Sequence, residues 1–177
     1  MIDPCKAALI IIDMQNGFID PASALCVEGA AATVPACSRA LDHARELGMP
    51  VFHVVREYAE DGSDVEAVRH AAWDGGGKPV SRACANPRRL DVGTVVLIGT
   101  TTPNCIRTTC YDALSLDYNV AVIEDCTSSR TPAVQATNIE DMAHIGAQML
   151  TCDEFCTQGL ANVRDVAAEV RAACNRR

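Results

Sequence analysis

The chain has 177 residues, 49% of them hydrophobic and 21% charged, a balance that suits one globular domain over 1–177 and excludes wholesale disorder. A net charge of -8 sets it against phosphate backbones, so nucleic acid is not an expected partner. No apolar run reaches the ~18 residues of a membrane span, so neither is a membrane.

In chain order, Ala7-Ala8-Leu9-Ile10-Ile11-Ile12 is an unbroken apolar run ending in Asp13, the pattern of a strand buried on both faces. Residues 30–47 have helical spacing, with Gly48 as the stop. Residues 50–55 read as a second strand, 94–99 as a third and 119–124 as a fourth, with a helix over 104–116 between the last two. A helix over 132–145 comes next, with Thr131 as its cap and Pro132 in its first position. A short strand at 148–151 and a helix over 161–173 complete the chain. Residues 74–87, rich in Gly, Pro and Ala, are the one long irregular stretch. Strands separated by helices predict a three-layer α/β/α fold with a mostly parallel sheet and ligands beyond the carboxyl ends of its strands.

Ten cysteines without CxxC or zinc-finger spacing, in a chain whose first residues lack the basic and apolar regions of a secretion signal, predict reduced thiols in the cytosol. Most of them read as small core residues. Two segments at predicted strand ends carry more. Asp13 needs a partner or a cleft, because a carboxylate buried alone costs several kcal/mol; it reads either as a cap of the next turn or as a cleft residue. In Gly99-Thr100-Thr101-Thr102-Pro103-Asn104-Cys105, Thr102 is the expected helix cap. Cys105 falls in the first turn, where free backbone N–H groups favour a thiolate and could hold an oxyanion. The sheet-edge position favours a nucleophile over a packing cysteine.

The run Ala8-Leu9-Ile10-Ile11-Ile12-Asp13-Met14-Gln15-Asn16-Gly17-Phe18 resembles the opening signature of the isochorismatase-like cysteine hydrolases. Gly99-Thr100-Thr101-Thr102-Pro103-Asn104-Cys105-Ile106-Arg107-Thr108-Thr109-Cys110-Tyr111-Asp112-Ala113 resembles their nucleophile segment. Tyr118-Asn119-Val120 and Glu124-Asp125-Cys126-Thr127-Ser128-Ser129 match the family's pattern downstream of the nucleophile, so the resemblance covers nearly the whole chain. It implies an Asp–Lys–Cys triad on an isochorismatase-like, Rossmann-like α/β/α fold. Asp13 would take the proton of Cys105, whose sulfur attacks an amide, ureido or carbamoyl carbon to give a thioester. It also implies a cis Thr100–Thr101 peptide, aiming the Thr101 N–H beside that of Cys105 as an oxyanion hole.

The same resemblance exposes departures. The family's lysine precedes a Ser-Ala-Phe-like stretch that this chain lacks; its only lysines are Lys6 and Lys78, and Lys78, the one candidate for that role, stands in a glycine-rich loop sequence. Residues 88–92 read as the tail of a helix, so about one strand and most of a helix are expected to be missing at Pro87/Arg88, and loss of an inner strand should be ruinous. Nicotinamidases of the superfamily hold a metal with an Asp and two His after the second strand. Residues 54–64 contain no His, so neither a metal nor any cofactor is expected. Arg56 reads either as a clamp for a substrate carboxylate or as an ion-pair partner of Glu57 or Asp61, Thr102 as a further substrate contact, His53 as core, and the acidic run 60–66 as solvated surface. The expected ligand is a small molecule, and the family commonly forms homo-oligomers. Two alternatives stand: isochorismatase-type vinyl-ether hydrolysis led by Asp13, and a catalytically inactive binding or oligomeric subunit.

Overall fold

Strand β1 (Ala7–Ile12) is six apolar residues with every side chain buried, because it has a strand on either side and helices above and below. The computed structural model describes residues 2–76 and 91–174. Among them, β1, β2 (Val51–Val54), β3 (Thr94–Thr100), β4 (Asn119–Ser128) and β5 (Gln148–Leu150) form one parallel sheet in the order β2-β1-β3-β4-β5.

Alternate residues of the inner strands face opposite layers. Leu9, Ile11, Val96, Ile98, Ala121 and Ile123 pack on one side with Cys37, Ala40 and Ala44 of helix α2 (Ala30–Glu46) and Phe155 of α6 (Cys152–Gln158). Ile10, Ile12, Val95, Leu97, Val120 and Val122 pack on the other with Cys110 and Ala113 of α4 (Arg107–Ser115) and Met142 of α5 (Pro132–His144). Burying one such Leu, Ile or Phe side chain is worth about 1.5–3 kcal/mol. The short helices α1 (Asn16–Ile19) and α3 (His70–Asp74) and the last helix α7 (Val166–Cys174) stand outside these two layers. The three-layer, parallel expectation is therefore met. Among the described residues no helix is long and apolar enough to cross a membrane.

Several boundaries differ from the sequence reading. The helix expected over 104–116 opens as a wide π-type turn, Thr102–Ile106, before α4 begins. Its N-cap is Thr101, with no side-chain cap bond, so Thr102 is not the cap. Strand β4 runs on to Ser128 past a register shift opposite Leu97 and Gly99. The helix expected over 161–173 is α7, starting at Val166. His53 is exposed on the edge strand β2, not core.

The pairing also corrects the expectation about a lost inner strand. Strand β1 pairs directly with both β2 and β3, Leu9 with Val51 and with Val96, so no inner place in the sheet is vacant. A strand inserted in sequence between β2 and β3 would have to add at an outer edge, where its loss disturbs the core far less. Pro87/Arg88 and Lys78 themselves lie outside the described residues.

The chain steps from β1 outward to β2 and then back past β1 to β3. That reversal opens a crevice at the carboxyl ends of β1 and β3. Asp13 follows the first of these strands and the nucleophile segment follows the other.

Candidate active site

Gly99 makes the crevice possible. It sits opposite Ile12 in the register with φ of +119°, and a Cβ there would lie 2.0 Å from the Ile12 carbonyl oxygen. Only glycine permits that approach. Beyond it, β3 is tied to the end of β4 by buried polar links. The Ser128 hydroxyl donates to that of Thr100 at 3.0 Å, and the Thr102 hydroxyl donates to the Ser128 carbonyl at 3.0 Å. Thr102 is fully buried by these links and does not line the cavity; it is a structural tie, which corrects its assignment as a substrate contact.

The Thr100–Thr101 peptide is cis, as the resemblance implied. Thr101 accepts at its carbonyl from the N–H groups of Asn104 and Ile106. The wide turn so formed presents Cys105, half-buried, to the crevice.

On the other side of the crevice, Asp13 leaves β1 in the left-handed region, φ 53°, with its N–H donated to the Val54 carbonyl at 2.8 Å. It is 5% exposed and lines the same cavity as Cys105. That position chooses between the two readings of Asp13: it is a cleft residue. Burial raises its pKa above the ordinary carboxylate value, against the neighbouring Cys105 thiol and the fields of Arg56 and Arg69.

Cys105 departs from its expectation. Burial, and then the Asp13 carboxylate, push its thiol pKa up, while Arg56 pulls it down. Burial and the neighbouring carboxylate act against a thiolate there, so a nucleophilic Cys105 calls on a base, and Asp13 lines the same cavity.

Arg56 closes the site from the segment after β2. The Gln15 side chain clamps its backbone at both groups, accepting from the Arg56 N–H at 2.8 Å and donating to its carbonyl at 3.0 Å. Guanidinium Nη1 donates to the Tyr58 hydroxyl at 2.8 Å and to Glu66 at 2.9 Å, while Nη2 lies 3.9 Å from Cys105 Sγ. Tyr58 in turn donates to the second oxygen of Glu66 at 2.5 Å. The ion-pair partner is therefore Glu66, not Glu57 or Asp61, and with Nη1 so occupied the edge left for a further partner is that of Nε and Nη2. The acidic run is not merely surface either, since Asp64 and Glu66 line the cavity. Sequence reasoning missed Gln15, Tyr58 and Glu66; Gln15 lies within the opening motif, whereas nothing in the spacing marks Glu66 as a partner of a residue ten positions away.

Between these walls lies a cavity of about 550 Å³, lined among others by Ile12, Val54, Asn104 and Thr108. That volume suits a small organic molecule. Among the described residues no three His, Cys, Asp or Glu side chains gather as metal ligands would. The arrangement offers a nucleophile, a base able to return the proton as an acid, and a fixed cation.

Comparison with known proteins agrees with this geometry. A family model described as an isochorismatase domain matches residues 7–154. A probable inactive nicotinamidase of Arabidopsis thaliana is 33% identical, covering 85% of this chain and 94% of its own. Maleamate amidohydrolase of Pseudomonas putida is 25% identical over 77% of this chain and 79% of its own. A crystal structure of an isochorismatase family protein from Desulfovibrio vulgaris superposes with a TM-score of 0.76 at 36% identity, covering 85% of this chain and 96% of that one.

Proposed function

The chain belongs to the isochorismatase family, and from that premise we propose that it is a cysteine hydrolase cleaving the C–N bond of a small amide, ureido or carbamoyl compound. The observation that carries the reading is that Asp13 and Cys105 line one cavity at the switch point of the sheet. Asp13 accepts the thiol proton as Cys105 Sγ bonds to the carbonyl carbon. The C–N bond then breaks, and the protonated Asp13 gives its proton to the departing nitrogen. Water, deprotonated by Asp13, attacks the resulting thioester and releases the acid and the free thiol. In this reading the N–H groups of Thr101 and Cys105 receive the developing oxyanion, a contribution of about 3–4 kcal/mol per donor to the barrier.

The vinyl-ether alternative has no use for a thiol that shares the cavity with the acid. The inactive-subunit alternative draws support from the name of the Arabidopsis relative. A panel of small primary amides, ureido acids and carbamoyl compounds decides, with released ammonia or amine as the readout. Turnover is expected with at least one member, and Cys105→Ala and Asp13→Ala are each expected to lower it by about 10³-fold or more with unfolding midpoints unchanged. Undiminished turnover in Cys105→Ala would remove the covalent mechanism, and an inert wild-type chain would favour the inactive subunit.

A further inference from the structure

The geometry points to Arg56 as the cation that holds the Cys105 thiolate once Asp13 has taken its proton, with Gln15, Tyr58 and Glu66 as the residues that position it. The inference rests on the cysteine-hydrolase reading and adds to it the group that makes the proton transfer feasible. Moving the proton from sulfur to carboxylate shifts a negative charge onto a half-buried sulfur, and a charge so placed needs a partner. Among the described residues, the guanidinium of Arg56 is the cationic group within hydrogen-bonding reach of that sulfur, at 3.9 Å.

Three features show that it is built for this position. The backbone of Arg56 is held at both N–H and C=O by the Gln15 amide, two residues beyond Asp13, so base and cation are fixed by the same turn. The far edge of the guanidinium is occupied by Tyr58 and Glu66, which turns the remaining edge toward Cys105. Its Nε is buried without a partner, a donor left over for charge that appears only during the reaction. The side chain is 18% exposed, so its field reaches the sulfur with less screening than a surface charge would. The titratable and charged groups that line the cavity with it are Asp13, Glu57, Tyr58, Asp64, Glu66, Arg69 and Cys105; the field of Arg56 opposes burial and Asp13 in setting the Cys105 thiol.

The test measures the rate at which iodoacetamide labels Cys105, followed by peptide mapping across pH 6–10, in the full chain and in Arg56→Met, Arg56→Lys, Lys78→Met and Asp13→Asn. Arg56→Met is expected to shift the labelling profile at least one pH unit upward, which is about tenfold slower labelling at pH 7.5. Arg56→Lys should recover part of that loss, since it keeps the charge but not the fork, and Lys78→Met should leave the profile in place. Thermal midpoints identify a variant that has lost its fold, in which case Arg56→Lys alone decides through a smaller shift in the same direction. An unchanged profile in folded Arg56→Met, or the shift appearing in Lys78→Met instead, overturns the assignment while leaving the hydrolase reading intact. If neither the Asp13→Asn nor the Arg56→Met change affects labelling, the Asp13–Cys105 couple itself is wrong and both fall together.

Discussion

The two walls of the cavity are made in different ways. The inner wall, carrying Asp13 and Cys105, grows out of β1 and β3, whose side chains are buried almost to the last residue. The outer wall, residues 55–74, buries little; Val65 is its one buried apolar side chain, and Val68 is 92% exposed. It is held by polar links instead: Gln15 to Arg56, Arg56 to Tyr58 and Glu66, and the Ala59 N–H to Asp64 at 2.8 Å. The inner wall thus shares its stability with the fold, whereas the outer wall is tuned by interactions worth about 1 kcal/mol each, more where a charge takes part. Substitutions should separate accordingly: those in the strands and ties that support the inner wall cost global stability, whereas those in the links of the outer wall cost little stability and act mainly on the site.

The largest effect is expected at Gly99. Gly99→Ala places a Cβ 2.0 Å from the Ile12 carbonyl oxygen at a φ of +119°, and neither backbone can yield without breaking the pairing of β1 with β3. The expected loss is above about 4 kcal/mol, seen as failure to purify folded protein or as a collapse of the denaturant midpoint. A midpoint within about 1 kcal/mol of the parent would mean that the inner wall is not fixed by this contact, and the contrast between the walls would weaken.

The inner wall was also the legible one. An unbroken apolar run can be buried only between neighbours, so Ala7–Ile12 announced a central strand, and a polar residue ending such a run announced the sheet's edge. Asp13 was readable as the carboxylate directly after one inner strand, and Cys105 as the thiol in the turn that follows another. The outer wall was opaque because polar loops carry no periodicity. Nothing local reveals that Glu66 turns back to Arg56, and His53 on an edge strand looks in sequence like a core residue. Helix α6 is a different case: Thr151-Cys152-Asp153-Glu154 forms a capping box, with the Thr151 hydroxyl accepting from the Glu154 N–H and the Glu154 carboxylate from the Thr151 N–H. That signal stood in the sequence unread. At Cys105 two influences oppose each other: a helix start favours a thiolate, whereas burial and Asp13 push the thiol pKa up.

A smaller effect is expected at the join between the nucleophile segment and β4. Thr102→Val keeps the shape of a fully buried side chain but leaves the Ser128 carbonyl without the hydroxyl it accepts from. The loss should be about 1–2 kcal/mol, read as a shifted denaturant midpoint. Iodoacetamide labelling of Cys105 should stay within about threefold of the parent, since the residue does not line the cavity. Labelling slowed much beyond that, with the midpoint unmoved, would return Thr102 to the site itself.

The smallest effect belongs to the outer wall and concerns acid. The Tyr58 hydroxyl, with the segment's own backbone and Arg69 and Arg56 helping, brings the Glu66 pKa down to about 2. A depressed carboxylate contributes stability above its unfolded pKa, near 4.3 for a glutamate, and loses it as pH falls toward 2, because over that window the unfolded chain binds a proton that the folded chain refuses. Glu66 is 48% exposed at its side chain, so solvent screens the contribution and only a shallow slope is expected. Thermal midpoints of the parent and of Glu66→Gln, followed from pH 6 down to pH 2, should differ most at the upper end and converge as the acid limit is approached. A constant difference across that range would show that Glu66 titrates like any surface carboxylate and that the outer wall is held by something other than its charge.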